Sequence, residues 1–322
     1  MKNVLLLGNG IDRSFNSNPI SWGELLDKMT TNHDLPDHDM LPFPLEVVLR
    51  TNDHVDEALK THCQELKGSA ADDKLREVLT RLLTLGFDDI LTTNYDYTLE
   101  GTAFYPDEVS FARAAKTMEH TAEVKRAEGK YMLHTYNAAA MDGVNNRIWH
   151  IHGEARKPSG MVIGHYLYVN LVSKWKEKLN ERDQAYKNFD QTKPSGCWLD
   201  SFIMGNVYVL GFGFDFSELD LWWLINRKKR EKAQPHGKVI FYTPENKSEA
   251  AKYALLNAYG VEIRHLGFKL MEGPDDDPCE EDRPSYEAEK EKTRVFNNEA
   301  YADFYMKAIE DIESLMQFMK YI

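Results

Sequence analysis

Cysteine is scarce in this chain. Only Cys63, Cys197 and Cys279 occur, far apart, odd in number and without a Cys-x-x-Cys pair. That spacing excludes a disulfide framework and a zinc ribbon, and it leads us to expect a reduced-thiol, cytoplasmic protein. Long apolar runs are missing too. The N-terminal run Val4-Leu5-Leu6-Leu7 is far shorter than the roughly 20 residues of a membrane span. It also lacks the flanks of a signal peptide, so no membrane association is expected. Cations are in deficit, with 39 Lys plus Arg against 52 Asp plus Glu and a net charge of -13. Neutralising a phosphate backbone needs clustered cations, so direct nucleic-acid binding is not expected. No internal repeat or low-complexity tract occurs. What remains, 42% hydrophobic and 28% charged over 322 residues, suits one large or two modest globular domains.

The apolar runs that do exist are short and end in glycine or polar clusters. Asn3 to Leu7 stops at Gly8-Asn9-Gly10. An unbroken aliphatic run of that length reads as a strand covered on both faces of a parallel sheet. Further strands are expected at Asp89 to Thr93, Arg147 to Ile151, Met161 to Ile163, Val207 to Leu210, Lys238 to Tyr242 and Val261 to His265. Between them lie helical patterns. Ser21 and Glu24 form a capping box ahead of Leu25, Leu26 and Met29. Amphipathic stretches cover about 55–66 and 73–85, the second with Leu75, Val78, Leu79, Leu82 and Leu83 on one face. A helix opens near Ser217 and carries Trp222 and Trp223. Its basic end, Arg227 to Arg230, complements a helix C-terminus.

The alternation of strand and helix predicts an α/β fold, a Rossmann-like doubly wound parallel sheet with helical insertions forming a cap. We expect one domain over 1–270, with polar cap insertions near 104–147 and 165–200. A charged loop at 271–300 would follow, then a C-terminal helix at 301–322. That helix places Tyr305, Ile309, Ile312, Leu315, Met316 and Met319 at helical spacing, suited to packing on the domain or on a partner.

Function is expected where the strands end. An open parallel sheet binds ligands beyond the carboxyl ends of its strands, near the topological switch point. Several polar or glycine-rich motifs follow expected strands: Gly8 to Asp12, Thr92 to Asp96, His150 to Gly153 and Gly211 to Asp215. Gly8-Asn9-Gly10 lets the backbone turn tightly and approach a phosphate or ribose, or simply joins strand to helix. The third glycine of a dinucleotide fingerprint is replaced by Arg13. Asp12 would repel a pyrophosphate but could accept a ribose hydroxyl or cap a turn. The Thr92–Asp96 run can hold a ribose hydroxyl and a water through Asn94, or close the strand with an Asx turn. His150 and His152, at i and i+2, share one side of an extended strand. A metal needs a third ligand that the sequence does not identify, so no metal is expected, and a general base is the better chemical use of a strand-end histidine. Gly211-Phe212-Gly213 is a second flexible connection, with Asp215 or Ser217 available as cap.

In this order the motifs resemble those of sirtuin-like NAD-binding proteins, and more closely their bacterial antiphage-defence branch. Sirtuins carry a Gly-Ala-Gly-x-Ser loop, then strand ends reading Thr-Gln-Asn-Ile-Asp, His-Gly and Gly-Thr-Ser. Here Gly8-Asn9-Gly10-Ile11-Asp12, Thr92 to Asp96, His152-Gly153 and Gly211-Phe212-Gly213 stand in the same order, spanning about Asn3 to Tyr242. The opening Gly-Asn-Gly-Ile-Asp also resembles abortive-infection proteins of the AbiH type. Two departures stand out: Asp12 replaces the loop serine, and the three cysteines cannot build the four-cysteine zinc module of protein deacylases.

The resemblance therefore implies cleavage of the nicotinamide–ribose bond of NAD+ with water as acceptor. Asn94, His152 and Asp96 would be catalytic. Asn94 would position ribose and water, His152 would act as base, and Asp96 would hold the carboxamide or stabilise the cation. NAD+ would be bound by Gly8, Asn9, Gly10, Ile11, Asp12, Thr92, Gly211, Phe212 and Gly213. A sensor that binds NAD+ or an ADP-ribose derivative without turnover is the alternative. An NAD+-dependent deacylase is disfavoured for want of the zinc module. An unrestrained NAD+ hydrolase would be toxic to its own cell. The resemblance accordingly implies a homo-oligomer, or association with a second defence protein such as a nucleotide hydrolase.

Overall fold

The computed structural model of the chain describes residues 1–15, 22–32, 41–52, 54–55, 57–58, 73–100, 133–134, 136–141, 143–155, 157–187, 197–232, 236–268 and 283–319. The capping serine Ser21, most of the 55–66 stretch, 104–132 of the first expected insertion, Cys63 and Cys279 lie outside them. The strands are β1 (Asn3–Leu7), β2 (Asp89–Thr92), β3 (Asn137–Met141), β4 (Val144–His150), β5 (Asn206–Leu210), β6 (Val239–Tyr242) and β7 (Val261–Arg264). They form a single sheet in the order β3-β4-β2-β1-β5-β6-β7. All neighbouring pairs are parallel except the edge strand β3, which runs antiparallel to β4.

The aliphatic run of β1 behaves as its composition demands. Val4 and Leu6 face one layer and Leu5 and Leu7 the other, all essentially enclosed. The first layer contains α5 (His165–Lys187), α6 (Trp198–Met204), α7 (Leu219–Lys229) and α8 (Ala250–Ala258). The second contains α1 (Gly10–Phe15), α4 (Asp73–Thr84) and α9 (Arg283–Met319). The stripe expected on α4 is buried there: Leu75, Val78, Leu79, Leu82 and Leu83. A smaller apolar cluster joins α2 (Trp22–Met29) and α3 (Phe43–Arg50) to Tyr95, Tyr97, Met161 and Ile163, beside the ends of β2 and β4.

The chain starts in the middle of the sheet, builds toward β4 and β3, then returns to the other side of β1 with β5, β6 and β7. The order reverses between β1 and β5. That crevice is the switch point at which ligands of such sheets bind.

Several elements differ from their sequence-based expectation. Residues 165–187 are a single helix of the core, not a cap. Tyr168, Leu171, Trp175 and Leu179 recur on one face and pack with Trp149, Trp198 and Phe202. Charged residues on the other face mask that stripe. The charged loop expected through residue 300 is helical from Arg283 onward. Its Glu, Lys and Ala residues are good helix formers, and Pro284 is tolerated in a first turn. The terminal helix packs on its own domain: Phe304, Tyr305, Ile309, Ile312 and Met316 are buried against α1 and the sheet. Met161 to Ile163 is not a strand but follows a short 3-10 turn, Pro158–Gly160. β3 was not expected, because its Asn-Ala-Ala-Ala-Met sequence lacks β-branched residues. Its pairing with β4 supplies the order that propensity does not.

Candidate functional site

The four strand-end motifs gather on adjacent strands, in the spatial order β4, β2, β1, β5. At the switch point the two glycine loops pack directly on each other. Gly8 N–H donates to the Leu210 carbonyl at 3.0 Å and Gly10 N–H to the Gly211 carbonyl at 2.7 Å. A Cβ on Gly8 would stand 2.4 Å from the Gly211 oxygen. Gly211 itself has φ +62°, and a Cβ there would lie 2.8 Å from Ile11 N. The requirement for glycine at these positions is thus met by backbone meeting backbone. Asn9 and Gly10 are partly exposed, and Gly213 is exposed with no atom within 4 Å of where a side chain would begin. Ile11 and Phe212 turn their side chains into the two core layers, and Ile11 Cγ1 also lies 3.1 Å from where a Cβ on Gly211 would stand. Phe214 holds a left-handed backbone, φ 47°, which a bulky residue adopts only under constraint. Perpendicular ring contacts with Phe212 and Phe241 supply that constraint.

Next to the switch point, β2 ends in an acid–amide cluster. Asn94 Nδ2 donates to Asp12 Oδ2 at 3.1 Å. Thr92 Oγ1 accepts from Asn94 N–H at 3.1 Å, and Asp96 Oδ1 accepts from Thr98 N–H at 2.9 Å, forming Asx- and Thr-type turns that close the strand. Burial first, then repulsion from Asp96, pushes the Asp12 carboxyl well above its ordinary range, while the Asn94 hydrogen bond opposes the rise.

The two histidines of β4 do not share a side. β4 ends at His150, and the chain turns at Ile151 and His152, so the two-residue alternation of a strand no longer applies. His150 Nδ1 meets the Asn94 carbonyl at 2.8 Å, and Nε2 meets Glu100 Oε1 at 2.8 Å. A carbonyl can only accept, so Nδ1 carries a proton. Burial opposes a second proton, but Glu100 outweighs it, and the pKa of His150 is raised to about 9. Glu100 also accepts from Asn137 Nδ2 of β3 at 2.7 Å. His150 is therefore a charged strut that fixes the backbone of Asn94.

His152 faces the other layer. Its Nε2 lies 2.7 Å from Asp220 Oδ2 in the first turn of α7, and neither side chain has any exposed surface. The ring stands edge-on to Tyr168 of α5, with centroids 5.4 Å apart. Tyr168 Oη donates to Glu218 Oε2 at 3.4 Å, and Tyr95 Oη donates to the Val162 carbonyl at 2.8 Å. Burial lowers the proton affinity of His152, while Asp220 and then Glu218 raise it; the net shift is upward. Glu218 is pushed up to about 7, chiefly by burial, with His152 pulling the other way. Burial and then Glu218 push both tyrosine hydroxyls well up. The fold also supplies the donors that the sequence could not pair with a histidine. Ligand-type atoms of His152, Glu218 and Asp220 lie within 4.8 Å of one another.

Asp12, Asn94 and Asp96 are thus brought together, and His152 lies on the neighbouring strand end in a separate, enclosed cluster. Sequence reasoning missed Asp220, Glu218, Tyr168 and the His150–Glu100 pair. An acid in a helix's first turn carries no more signal than favourable charge at the helix start. Tyr168 was hidden in a segment read as insertion. No described helix is long and apolar enough to cross a membrane.

Residues 88–263, more than half of the 322-residue chain, match the family described as SIR2-like domain. The match takes in β2 through β7, and so both polar clusters apart from Asp12. No curated protein matches the chain significantly.

Proposed function

The chain belongs to the SIR2-like domain family, and from that premise we propose that it is an NAD+ glycohydrolase, releasing nicotinamide and ADP-ribose. NAD-related chemistry is in keeping with the family. What supports hydrolysis is the pairing of an amide cluster with a base at adjacent strand ends. Thr92 pairs with His150 across β2 and β4, so Asn94 and His152 each follow that pair by two residues. Acidic groups surround them: Asp12, Asp96, Glu218 and Asp220.

The nicotinamide ring of NAD+ is cationic and departs neutral, leaving positive charge on the ribose. Carboxylates at this edge stabilise that charge. Asn94, held by His150 and Asp12, orients the ribose and a water. His152 takes a proton from that water or from a ribose hydroxyl, so the water oxygen bonds to the anomeric carbon as the glycosidic bond breaks. The cationic ring, once bound, opposes the rise in proton affinity that Asp220 and Glu218 cause at His152 and so favours the neutral base. Gly10 and Gly213, with the backbone of the loops between them, face the dinucleotide. No metal enters this scheme.

Biologically, we place the chain with NAD+-depleting antiphage effectors. It acts in the cytoplasm, restrained within a homo-oligomer or by a second defence protein such as a nucleotide hydrolase. The test is nicotinamide release from NAD+ by the purified protein, alone and with the protein encoded beside it. Loss of turnover in Asn94→Ala and His152→Ala supports the assignment, and full activity in both variants overturns it. One observation favours a second reading: His152 has no exposed surface. A sensor that binds NAD+ or an ADP-ribose derivative without turnover needs no access to that ring. Calorimetric binding without product, even in the presence of the neighbouring protein, would establish the sensor.

A further inference from the structure

The charged group that holds His152 lies outside every motif that the sequence singles out. Asp220 lies in the first turn of α7, beyond the loop that leaves β5, and β5 and β4 are separated in the sheet by β1 and β2. The loop from Gly211 to Glu218, with its strained Phe214, carries this carboxylate across the strand ends to reach β4. Once there, Asp220 makes a single contact through Oδ2, while Oδ1 is buried with no hydrogen-bond partner among the described residues. Glu100, the partner of His150, likewise leaves one oxygen, Oε2, without a hydrogen-bond partner among the described residues, so the two pairs differ at the histidine and not at the carboxylate.

His150 uses both ring nitrogens, whereas His152 uses only Nε2, and its Nδ1 has no hydrogen-bond partner among the described residues. Tyr168 packs edge-on against the ring, and turning the ring over would break the bond from Nε2 to Asp220. We propose that Asp220 is the positioning residue of the site: it accepts the Nε2 proton of His152 and leaves Nδ1 as the atom that takes the proton during NAD+ cleavage. Because the orientation is enforced by a buried carboxylate, the neutral ring takes the same tautomer with or without substrate. Glu218, also beside the ring, enters through its charge and not through a hydrogen bond to it. The inference rests on the hydrolase reading for the reaction, but the tautomer itself is a property of the protein alone.

The experiment separates the two. Nitrogen-15 spectra of histidine-labelled full-length protein, assigned with His152→Gln, report which nitrogen of His152 carries the proton at a pH where the ring is neutral. We expect Nε2–H and an acceptor-type Nδ1 in the wild type. In Asp220→Asn, an amide replaces the acceptor without changing shape, and the ring should lose this preference. The kcat for NAD+ should fall about 10²–10⁴-fold with KM changed less than about threefold. An Nδ1–H tautomer in the wild type overturns the proposal even if NAD+ is hydrolysed. An Nε2–H tautomer without hydrolysis leaves the positioning intact and removes the hydrolase reading. Should Asp220→Asn not fold, the wild-type spectrum alone decides. Elemental analysis of the purified protein closes the other route: a stoichiometric divalent ion lost in Asp220→Asn would make these donors a metal centre and overturn the tautomer assignment.

Discussion

His150 and His152 are two residues apart, both buried, and each is paired with a carboxylate at 2.8 Å or less. They are nevertheless built for opposite purposes. His150 spends both nitrogens on fixed protein partners and carries a charge that Glu100 neutralises. His152 has one nitrogen fixed and one open, beside Glu218, whose pKa burial raises to about 7. A buried histidine with both nitrogens bonded adds order to a fold, whereas an open ring nitrogen leaves a lone pair for chemistry or ligand binding. The difference between strut and reactive group lies in the unused lone pair, and each prediction below sharpens or breaks that distinction.

The largest effect is expected at the open histidine. His152→Ala should reduce NAD+ turnover about 10³–10⁴-fold, equivalent to about 4–5 kcal/mol of transition-state stabilisation. The folded state should survive, since removing His152 leaves Asp220 and Glu218 to share a proton. Nicotinamide release and a thermal melt measured on the same sample check both halves. Unimpaired turnover would give His152 the role of a second strut.

At His150 the effect moves from activity to stability. His150→Ala strands Glu100 in the core beside Asn137 and Glu154, and breaking a buried pair on one side costs about 3–5 kcal/mol. Urea unfolding should show that loss. Turnover at 25 °C should fall less than about tenfold, because Asn94 keeps its side-chain bond to Asp12. A variant that stays stable but loses turnover would reverse the two assignments.

The same pair predicts a pH dependence. The folded pKa of His150 is raised to about 9 from an ordinary 6.5. A raised value means that its stabilisation is complete below about pH 6.5, declines as pH climbs through 9, and is gone above it. The interval corresponds to about 3 kcal/mol at most. Urea midpoints at pH 6 and pH 10 should differ accordingly in the wild type, and His150→Gln should flatten this part of the profile. An equal alkaline loss in His150→Gln would assign it to another group.

What the sequence made legible follows from the range of each signal. β1 and β5 are apolar after their first residue and are followed by glycines, so their place in a covered parallel sheet and the convergence of their loops could be read directly. Asn94, Asp96 and His152 could be placed at strand ends because they follow the strands at once. Their partners could not, since Asp220 is 68 residues from His152 and Glu100 is 50 residues from His150. Such pairings depend on strand order, and nothing local in Leu219-Asp220-Leu221 reveals it. α5 was misread for a different reason. Its apolar stripe of Tyr168, Leu171, Trp175 and Leu179 is diluted by charged residues on the exposed face, so composition alone resembled a polar insertion.

The smallest effect tests how far the open site extends. Tyr168 touches His152 through its ring and Glu218 through its hydroxyl, but that hydrogen bond is long at 3.4 Å. Tyr168→Phe keeps the ring that packs edge-on to the imidazole and deletes only the weak donor. Stability should change by less than about 1 kcal/mol and turnover by no more than about fivefold. Glu218, already raised by burial, would lose a donor to its ionised form and shift further up, so its negative charge beside His152 would fade at a higher pH. Tyr168→Ala removes the ring as well and should match the loss caused by Asp220→Asn. If Tyr168→Phe instead proves as damaging as Tyr168→Ala, orientation of His152 depends on the hydroxyl and on Glu218, and the sharp line between a fixed Nε2 and an open Nδ1 gives way to a shared network.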